Sequence, residues 1–434
     1  MQPKIIVLDD DPTGSQTVHG CLLLTRWDVA TLLQGLEDAS PLMFVLTNTR
    51  GMGAADAARI TREACHNLKL ALQDFQQPTL FVSRSDSTLR GHYPVETDVM
   101  AEELGPFDAH FLVPAFFEGG RFTVDSVHYL KVADKAVPVH ETEFAKDSVF
   151  GYKHSYLPDY IEEKTDGRIK SDSVQRFVLA DVRKGSLKRL MTLSNNACCV
   201  VDAETQTDLN LFADDLQQAA TQGKRFLFRS AASLLTALAK LPPQPVAAAE
   251  MGRFVKDARP GAIIVGSHVK KTTEQLHVLL QQPGVAAVEV DVNRMPHDSP
   301  ALLKEICEKT RQAHQQGLTP VVYTSRSERQ FADQATRLAF GEHVSGFLMQ
   351  VVHGLPATTG FIISKGGITS NDMLSKGLAL PTARLLGQIL PGCSVVMTPP
   401  EHQFPGIPVV IFPGNVGDEK ALSEAYLRLR STAK

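Results

Sequence analysis

The chain has 434 residues, of which 43% are hydrophobic and 21% are charged, and its formal net charge at pH 7 is -4. This composition is typical of a globular protein with two or three domains, and the missing positive excess argues against nucleic acid or an anionic membrane as a partner. The N-terminal MQPKIIVLDDD is unlike a secretory signal, and no apolar stretch approaches the ~18 residues of a membrane helix. We therefore expect a cytoplasmic protein.

Short apolar runs alternate with amphipathic stretches along the first half of the chain. Most of the runs are continuous rather than alternating, which predicts strands buried on both faces of a parallel sheet with crossover helices. The polar, irregular stretch 124–170 has no predicted structure. The predicted strands of this half cover residues 5–8, 21–24, 43–47, 80–83, 111–113, 177–179, 199–201 and 226–228.

A proline-rich segment separates two regions of this kind. The sequence LPPQPVAAA at 241–249 cannot continue a helix or a central strand, so we predict domains at 1–240 and 251–434 joined by a linker at 241–250. The prediction is an α/β protein of two domains, each with a mainly parallel, Rossmann-like sheet flanked by helices. The predicted strands of the second half cover residues 262–265, 288–291, 321–323, 361–364, 395–397 and 409–412.

Three acidic residues, Asp9, Asp10 and Asp11, follow the first strand and precede a Pro-Thr-Gly turn. In open α/β sheets, ligands bind beyond the carboxyl ends of the strands. One interpretation is a general base with a site for hydroxyl groups. The other is the DxDxT nucleophile motif of haloacid-dehalogenase-type phosphatases, which Asp9, Asp11 and Thr13 would satisfy.

A second polar cluster, SRSDSTLRG, ends the strand at 80–83. Arginines such as Arg84 and Arg90 can bind a carboxylate bidentately, while Asp86 and Ser87 can bind hydroxyls, so the cluster suits a polyhydroxylated acid. Arg50, after the strand at 43–47, could supply a further cation. The alternative is a capped helix start with Asp86 or Ser87 as N-cap.

Three glycine-containing turns follow predicted strands in the second half. Backbone N–H groups at a strand-to-helix turn favour phosphate oxygens, and three such turns at one sheet edge predict a shared phosphate cradle, although each alone is more often an ordinary turn. No GxxxxGK[ST] loop is present. The residues of these turns are Ser267, then Gly366, Gly367, Ile368 and Thr369, then Gly414, Asn415 and Gly417.

Taken together, five motifs resemble those of the four-carbon acid sugar kinase family, formerly a domain family of unknown function. The resemblance runs across essentially the whole chain and in the same order. It implies an N-terminal sugar-acid domain, a C-terminal nucleotide domain, and ATP-dependent phosphorylation of acids such as threonate, erythronate or 3-oxo-tetronate. The motifs are DDPTG at 10–14, SDSTLRG at 85–91, GS at 266–267, KGGIT at 365–369 and PGNVG at 413–417.

The resemblance also implies site residues. ATP would contact Ser267, the loop 366–369 and Gly414, and the sugar acid would contact Asp10, Arg50, Asp86 and Arg90. We expect Asp10 or Asp11 to act as the base towards the acceptor hydroxyl, Mg²⁺ to accompany ATP, and the active site to lie in the inter-domain cleft.

The substrate side departs from the family pattern, since Asp9 replaces an alanine, Pro12 precedes Thr13, and Arg84 replaces a lysine. The segment 16–19, QTVH, also departs from it. Two alternatives therefore stay open, namely a Mg²⁺-dependent phosphatase that uses Asp9 and Asp11, and a non-catalytic ligand-binding protein with the kinase fold. We expect a small sugar acid and ATP as partners, and a homodimer stays open.

Overall fold

The computed structural model describes residues 2–133, 135–326 and 333–430. The chain forms two compact units, Met1–Pro242 and Pro243–Lys434, called here the first and second unit. Among the described residues, no helix is both long enough and apolar enough to cross a membrane.

The first unit is built on a parallel sheet with the order β2-β3-β1-β4-β11-β5-β10-β9. Its central strand β1 is buried along its whole length, as the continuous apolar run predicts. The strands of this unit are β1 Lys4–Asp9, β2 Leu22–Leu24, β3 Leu42–Leu46, β4 Thr79–Arg84, β5 Ala109–Val113, β6 Arg121–Val124, β7 Val127–Val132, β8 Lys135–Pro138, β9 Gln175–Phe177, β10 Ala197–Val201 and β11 Phe226–Ser230.

Helices connect most of the parallel strands of the first unit. In α2, buried side chains recur at helical spacing, as at Ala57, Thr61, Ala64 and Leu68, so one face packs on the sheet. The helices are α1 Val29–Glu37, α2 Ala54–Ala71, α3 Val95–Leu104, α4 Leu157–Lys164, α5 Leu179–Lys184, α6 Leu187–Leu190, α7 Gln206–Thr221 and α8 Ala232–Ala239. The strand predicted at 177–179 ends at Phe177 instead, because Leu179 begins α5.

In the stretch 124–170, which the sequence left without a prediction and which is called here the insertion, the described residues 124–133 and 135–170 contain strands and a helix. Strands β6, β7 and β8 form a separate antiparallel sheet, and α4 follows it. Buried side chains of this insertion, such as Leu157 and Ile161, share one apolar cluster with Leu89 and Leu112. The insertion is therefore packed directly against the loop that follows β4.

The second unit has a mainly parallel sheet with the order β13-β14-β12-β15-β18-β17-β16, in which β17 runs antiparallel to both of its neighbours. The antiparallel β16 was not predicted, because its alternating half-buried pattern lacks a continuous apolar run. The strands are β12 Ala262–Val265, β13 Val285–Val290, β14 Thr319–Thr324, β15 Ile362–Lys365, β16 Thr382–Leu390, β17 Cys393–Met397 and β18 Pro408–Phe412. The helices are α9 Lys270–Leu280, α10 Met295–Gln315, α11 Gln334–His353, α12 Gly367–Asp372 and α13 Ala421–Arg430.

Candidate functional site

In the first unit, β3, β1 and β4 are adjacent parallel strands, so their carboxyl ends lie side by side. This topology brings together the two polar clusters that the sequence places after β1 and β4, and also Arg50, which follows β3. No helix begins within residues 85–91, since α3 starts at Val95 after Pro94. The alternative in which Asp86 or Ser87 caps a helix is therefore wrong.

Asp10, which is buried, holds Arg50 in a two-point ion pair that leaves 19% of the Arg50 side chain exposed. Arg50 Nε donates to Asp10 Oδ2 over 3.1 Å and Arg50 Nη2 donates to Oδ1 over 2.5 Å, while Ser85 Oγ lies 2.7 Å from Oδ2. Only 1% of Asp10 is exposed. The carboxylate oxygens are thus already occupied, and the geometry suits a residue that fixes Arg50 better than one that accepts a substrate proton.

Asp11 presents a more accessible carboxylate, with 22% of its side chain exposed. Thr13 donates to Oδ1 through its backbone N–H over 2.8 Å and through its hydroxyl over 2.5 Å, and Arg50 Nη1 lies 3.4 Å from Oδ2. Burial raises the pKa of Asp11, but Arg50 and Thr13 together outweigh it and leave the pKa below its usual value. Asp11 is therefore ionised at neutral pH, and its carboxylate is partly accessible although both of its oxygens already accept hydrogen bonds.

Asp9 lies beneath the site and not in it. It is fully buried, and Gly14 packs so closely on its carboxylate that a Cβ there would lie 2.0 Å from Oδ2. Burial raises the pKa of Asp9 to about 8, since Arg84, 3.5 Å away, only partly offsets it. Asp9 Oδ2 and Arg84 Nε and Nη1 have no hydrogen-bond partner among the described residues. Arg84 is only 4% exposed, so its role in substrate binding stays a prediction.

Asp86 and Arg90 form a partly exposed pair in the second cluster. Arg90 Nε donates to Asp86 Oδ2 over 2.7 Å, and Thr88 donates its hydroxyl to the same oxygen. Burial alone would raise the pKa of Asp86, but Arg50 and Arg90 lower it to about 2. A small cavity of about 10 Å³, which has room for about one water molecule, adjoins this pair and is lined by Ser85, Asp86, Leu89, Arg90, Arg229 and Ser230, among others.

A buried hydrogen-bond network that the sequence reasoning missed reaches Asp10 through Ser85. Arg229 Nη1 donates to Glu96 Oε2 over 2.6 Å and Arg229 Nη2 donates to Ser85 Oγ over 2.7 Å, with both charged side chains about 5% exposed. Thr49 donates to the other oxygen of Glu96 over 2.5 Å. The only sequence signal was an arginine inside the apolar strand FLFRS, whose partners lie far away in the chain.

Side chains of the insertion form hydrogen bonds with the backbone carbonyl oxygens of three successive residues in the second cluster. His128 Nε2 lies 2.8 Å from the Ser87 carbonyl oxygen, Tyr152 donates to that of Thr88 over 2.7 Å, and Tyr160 donates to that of Leu89 over 2.9 Å. These residues also escaped sequence reasoning. Ser87 is itself only 7% exposed, so its predicted contact with substrate is not evident in the geometry and stays a prediction.

The insertion also flanks the arginine of the cluster. The Arg90 guanidinium lies 4.9 Å from the centroid of the Phe144 ring, and its Nη1 lies 3.7 Å from Asp147 Oδ2. Together with the three carbonyl contacts, these interactions set the direction in which Arg90 faces. The loop that follows β4 thus takes its shape from the insertion as much as from its own turn residues.

In the second unit, the adjacent parallel strands β12, β15 and β18 bring the three glycine-containing turns together. A Cβ on Gly414 would lie 3.3 Å from Ser267 Oγ, and one on Gly366 would lie 3.0 Å from Ser267 Cβ. Thr272 Oγ1 lies 3.0 Å from Ser267 Oγ and 3.2 Å from the Gly414 carbonyl oxygen. Glycine allows this close approach of the turns.

The three turns differ in how they meet the following helices. Gly366 has a φ of +122°, which favours glycine, and α12 begins directly after it. By contrast, α9 starts at Lys270 and α13 at Ala421, so Ser267 and the loop 413–417 precede their helices by several residues rather than opening them. Ile368 is 74% exposed in the first turn of α12, and Asn415 and Gly417 are exposed in their loop.

A further residue overlooked by the sequence reasoning lies under this cradle. Lys365 ends β15 and is fully buried, and its Nζ donates to the carbonyl oxygens of Pro413 over 2.6 Å and Gly414 over 3.2 Å. Its position just before two glycines at a strand end was the available signal. Within the described ranges, no group of three His, Cys, Asp or Glu side chains is arranged to hold a metal ion.

The first unit carries arginine–carboxylate pairs at its strand ends, and the second carries a cradle of close-packed glycine-containing turns. Residues 5–238 match the family model described as a sugar-binding N-terminal domain, and residues 262–422 match that described as a nucleotide-binding C-terminal domain. The chain therefore belongs to the four-carbon acid sugar kinase family, as the motifs predicted.

Two curated relatives carry enzyme names. A D-erythronate kinase from Heliobacterium modesticaldum is 28% identical over 221 residues, which cover 48% of this chain and 47% of the relative. A D-threonate kinase from Bordetella bronchiseptica is 30% identical over 164 residues, which cover 36% of this chain and 38% of the relative. The chain thus spans less than half the length of the curated relatives it matches.

Two solved structures share the fold over nearly the whole chain. A Haemophilus influenzae protein of a domain family of unknown function has a TM-score of 0.64 at 16% identity and covers 97% of this chain, with 99% of its own length matched. A Salmonella typhimurium protein provisionally described as a tRNA synthase has a TM-score of 0.69 at 18% identity, with 98% and 99% coverage. These likenesses confirm the predicted α/β fold and carry no information on activity.

Proposed function

We propose that this protein is an ATP-dependent kinase that phosphorylates a hydroxyl group of a small sugar acid, with four-carbon acids of the threonate, erythronate or 3-oxo-tetronate type as acceptors. The observation that carries the proposal is the pairing of Asp86 with Arg90, both partly exposed, near the ionised Asp11 at the neighbouring strand end. A sugar acid offers a carboxylate for the arginine and hydroxyls for the carboxylates. The names of the two curated relatives support the same acceptor class.

In the proposed reaction, Arg90 binds the acceptor carboxylate and Asp86 accepts hydrogen bonds from its hydroxyls. The reacting hydroxyl oxygen forms a bond to the γ-phosphorus of ATP while the bond from that phosphorus to the β–γ bridging oxygen breaks and ADP leaves. Asp11 accepts the hydroxyl proton, because its carboxylate is ionised and accessible. Asp10 fixes Arg50, whose charge stabilises the incoming phosphoryl group.

The nucleotide is proposed to bind at the cradle formed by Ser267, the loop 366–369 and the loop 413–417. Backbone N–H groups of these turns would donate to the phosphate oxygens, which is the mode of binding expected where no P-loop sequence exists. Mg²⁺ typically needs only one or two carboxylates in addition to the phosphates and water, so it is proposed to arrive bound to ATP. It would neutralise phosphate charge during transfer.

The geometry gives less support to a phosphatase of the haloacid-dehalogenase type. That reaction needs Asp9 as a nucleophile, but Gly14 and Arg84 cover its carboxylate and the pKa of about 8 leaves it largely protonated at neutral pH. A non-catalytic protein with this fold remains the second candidate, favoured by the burial of Arg84 on the substrate side. Turnover of any acceptor would exclude it.

Calorimetric titration with ADP and ATP, with and without Mg²⁺, tests the nucleotide half of the proposal. We expect Gly414→Trp to abolish binding, because the indole would fill the space in front of Ser267. Gly341→Trp is the matched control, since Gly341 is exposed on α11 and a Cβ added there would meet no atom within 4 Å. A panel of sugar acids with an ADP-release assay then identifies the acceptor. Wild-type protein that binds no nucleotide at millimolar concentration would refute the proposal.

A further inference from the structure

Lys365 is a buried lysine whose hydrogen-bond acceptors all belong to one loop of the cradle. Its Nζ donates to the carbonyl oxygens of Pro413 and Gly414 and lies 4.2 Å from the centroid of the Phe412 ring. The side chain therefore ties the end of β15 to the end of β18 and to the loop that follows it. A lysine buried in this way must have its polar atoms satisfied, and here carbonyl groups do so.

The two carbonyl contacts determine where the adjacent N–H groups point. In a trans peptide the C=O and N–H bonds are directed oppositely. With the carbonyls of Pro413 and Gly414 turned towards Lys365, the N–H groups of Gly414 and Asn415 are turned away from it. Within the described parts of the chain, neither of these N–H groups donates to another backbone or side-chain acceptor. Both are thus available to an anion.

Among the residues that the structure describes, no carboxylate forms an ion pair with Lys365, and the titratable groups that face it are Cys393 on β17 and Lys271 on α9. Burial lowers the pKa of Lys365 to about 7, and the Cys393 thiol, whose own pKa burial raises to about 12, stays neutral. Above pH 7 a large fraction of Lys365 is a neutral amine, which still donates to the two carbonyls.

We propose that Lys365 is the positioning residue of the nucleotide site and that it takes up a proton when a polyphosphate binds at the 413–417 loop. This inference rests on the proposed binding of nucleotide at the cradle. Phosphate charge on the outer side of the loop favours the ammonium form behind it, because an opposite charge stabilises the charged state of a nearby group. Nucleotide binding should then weaken as the pH rises above the pKa of Lys365.

The test is a calorimetric titration of the whole protein with Mg²⁺-free ADP at about pH 8, carried out in two buffers with different ionisation enthalpies. The difference in heat gives the number of protons taken up, and at this pH the ADP phosphates are already ionised. We expect the wild type to take up roughly half to one proton per ADP bound. Between pH 7 and pH 9, its affinity for ADP should fall roughly tenfold for each unit by which ADP binding raises the pKa of Lys365. No variant is needed for this measurement.

Two variants assign the proton to Lys365. Lys365→Met should bind ADP more weakly, without proton uptake, and with an affinity independent of pH over this range. Lys365→Arg retains a permanent charge, so it should restore part of the affinity but no proton uptake. Thermal unfolding without nucleotide checks that each variant is folded.

The outcomes separate this inference from the proposed function. Wild-type protein that does not bind ADP in either buffer would overturn both. Binding with no proton uptake, or uptake that persists in a folded Lys365→Met variant, would overturn the role of Lys365 and leave the kinase proposal standing.

Discussion

Asp10 and Asp11 are neighbours in the sequence, yet replacing each with asparagine should affect different properties. Asp10 is 1% exposed and pairs with Arg50 at two points. Breaking a buried pair of this kind costs ~3–5 kcal/mol. At ~2–4 °C per kcal/mol for a domain of this size, Asp10→Asn should lower the melting temperature by roughly 6–20 °C.

Asp11→Asn should barely change stability, because its contact with Arg50 is longer, at 3.4 Å, and its side chain is 22% exposed. Such a pair contributes ~0–1 kcal/mol. Loss of a general base, however, should reduce kcat by ~10²–10⁴-fold. The two variants therefore separate support of the site from participation in the reaction.

Both variants are measured by differential scanning calorimetry and by ADP release with the best acceptor of the panel. Asp56→Asn is the control, since its ion pair with Arg59 is more than 60% exposed on both sides and should contribute little to either property. If Asp10→Asn has the same melting temperature as the wild type, the ion pair between Asp10 and Arg50 does not stabilise the fold. If Asp11→Asn retains full turnover, Asp11 is not the base.

Three further changes address other parts of the molecule. Gly414→Ala should fold normally but bind nucleotide at least ~10-fold more weakly by calorimetry, because its methyl group lies 3.3 Å from Ser267 Oγ in the cradle. Tyr160→Phe leaves the Leu89 carbonyl without its partner, so it should cost ~1–3 kcal/mol and raise KM for the acceptor while nucleotide affinity is unchanged. Asp9→Asn should raise the melting temperature at about pH 8. Burial raises the pKa of Asp9 from 3.8 to about 8, so between these pH values the folded state binds more protons than the unfolded state. The free energy of unfolding therefore falls by up to ~1.4 kcal/mol per pH unit as the pH rises through this range.

Each of these three predictions can be contradicted by one result. Wild-type nucleotide affinity in Gly414→Ala would place the phosphates elsewhere. A change in nucleotide affinity in Tyr160→Phe would mean that the insertion does more than shape the acceptor loop. A wild-type dependence of melting temperature on pH in Asp9→Asn would assign the titration to another group.

Local features of the sequence were sufficient to predict the fold class and the polar strand ends. Continuous apolar runs such as the one at 5–8 predict strands buried on both faces, and prolines at 241–249 break regular structure wherever they occur. Since parallel strands end at one edge of a sheet, the clusters at 9–14, 48–51 and 85–91 could be expected to meet. These inferences depend on neighbouring residues alone.

The roles of individual side chains depended on the tertiary structure. Asp9, Asp10 and Asp11 look alike in the sequence, but Gly14 covers the first, Arg50 occupies the second, and only the third is accessible. The three residues differ because the turn after β1 folds back over Asp9 and because β3 places Arg50 beside Asp10. No local sequence pattern predicts either of these contacts.

The supporting residues were hidden for the same reason. Arg229 meets Ser85 across 144 positions, and Tyr160 meets Leu89 across 71. Lys365 reaches the Pro413 carbonyl across 48. The sequence by itself determined which segments become strands, turns and polar strand ends, because those depend on local periodicity and turn chemistry. Only the packed structure decided which side chain is buried, paired or accessible, because that depends on contacts between segments far apart in the chain.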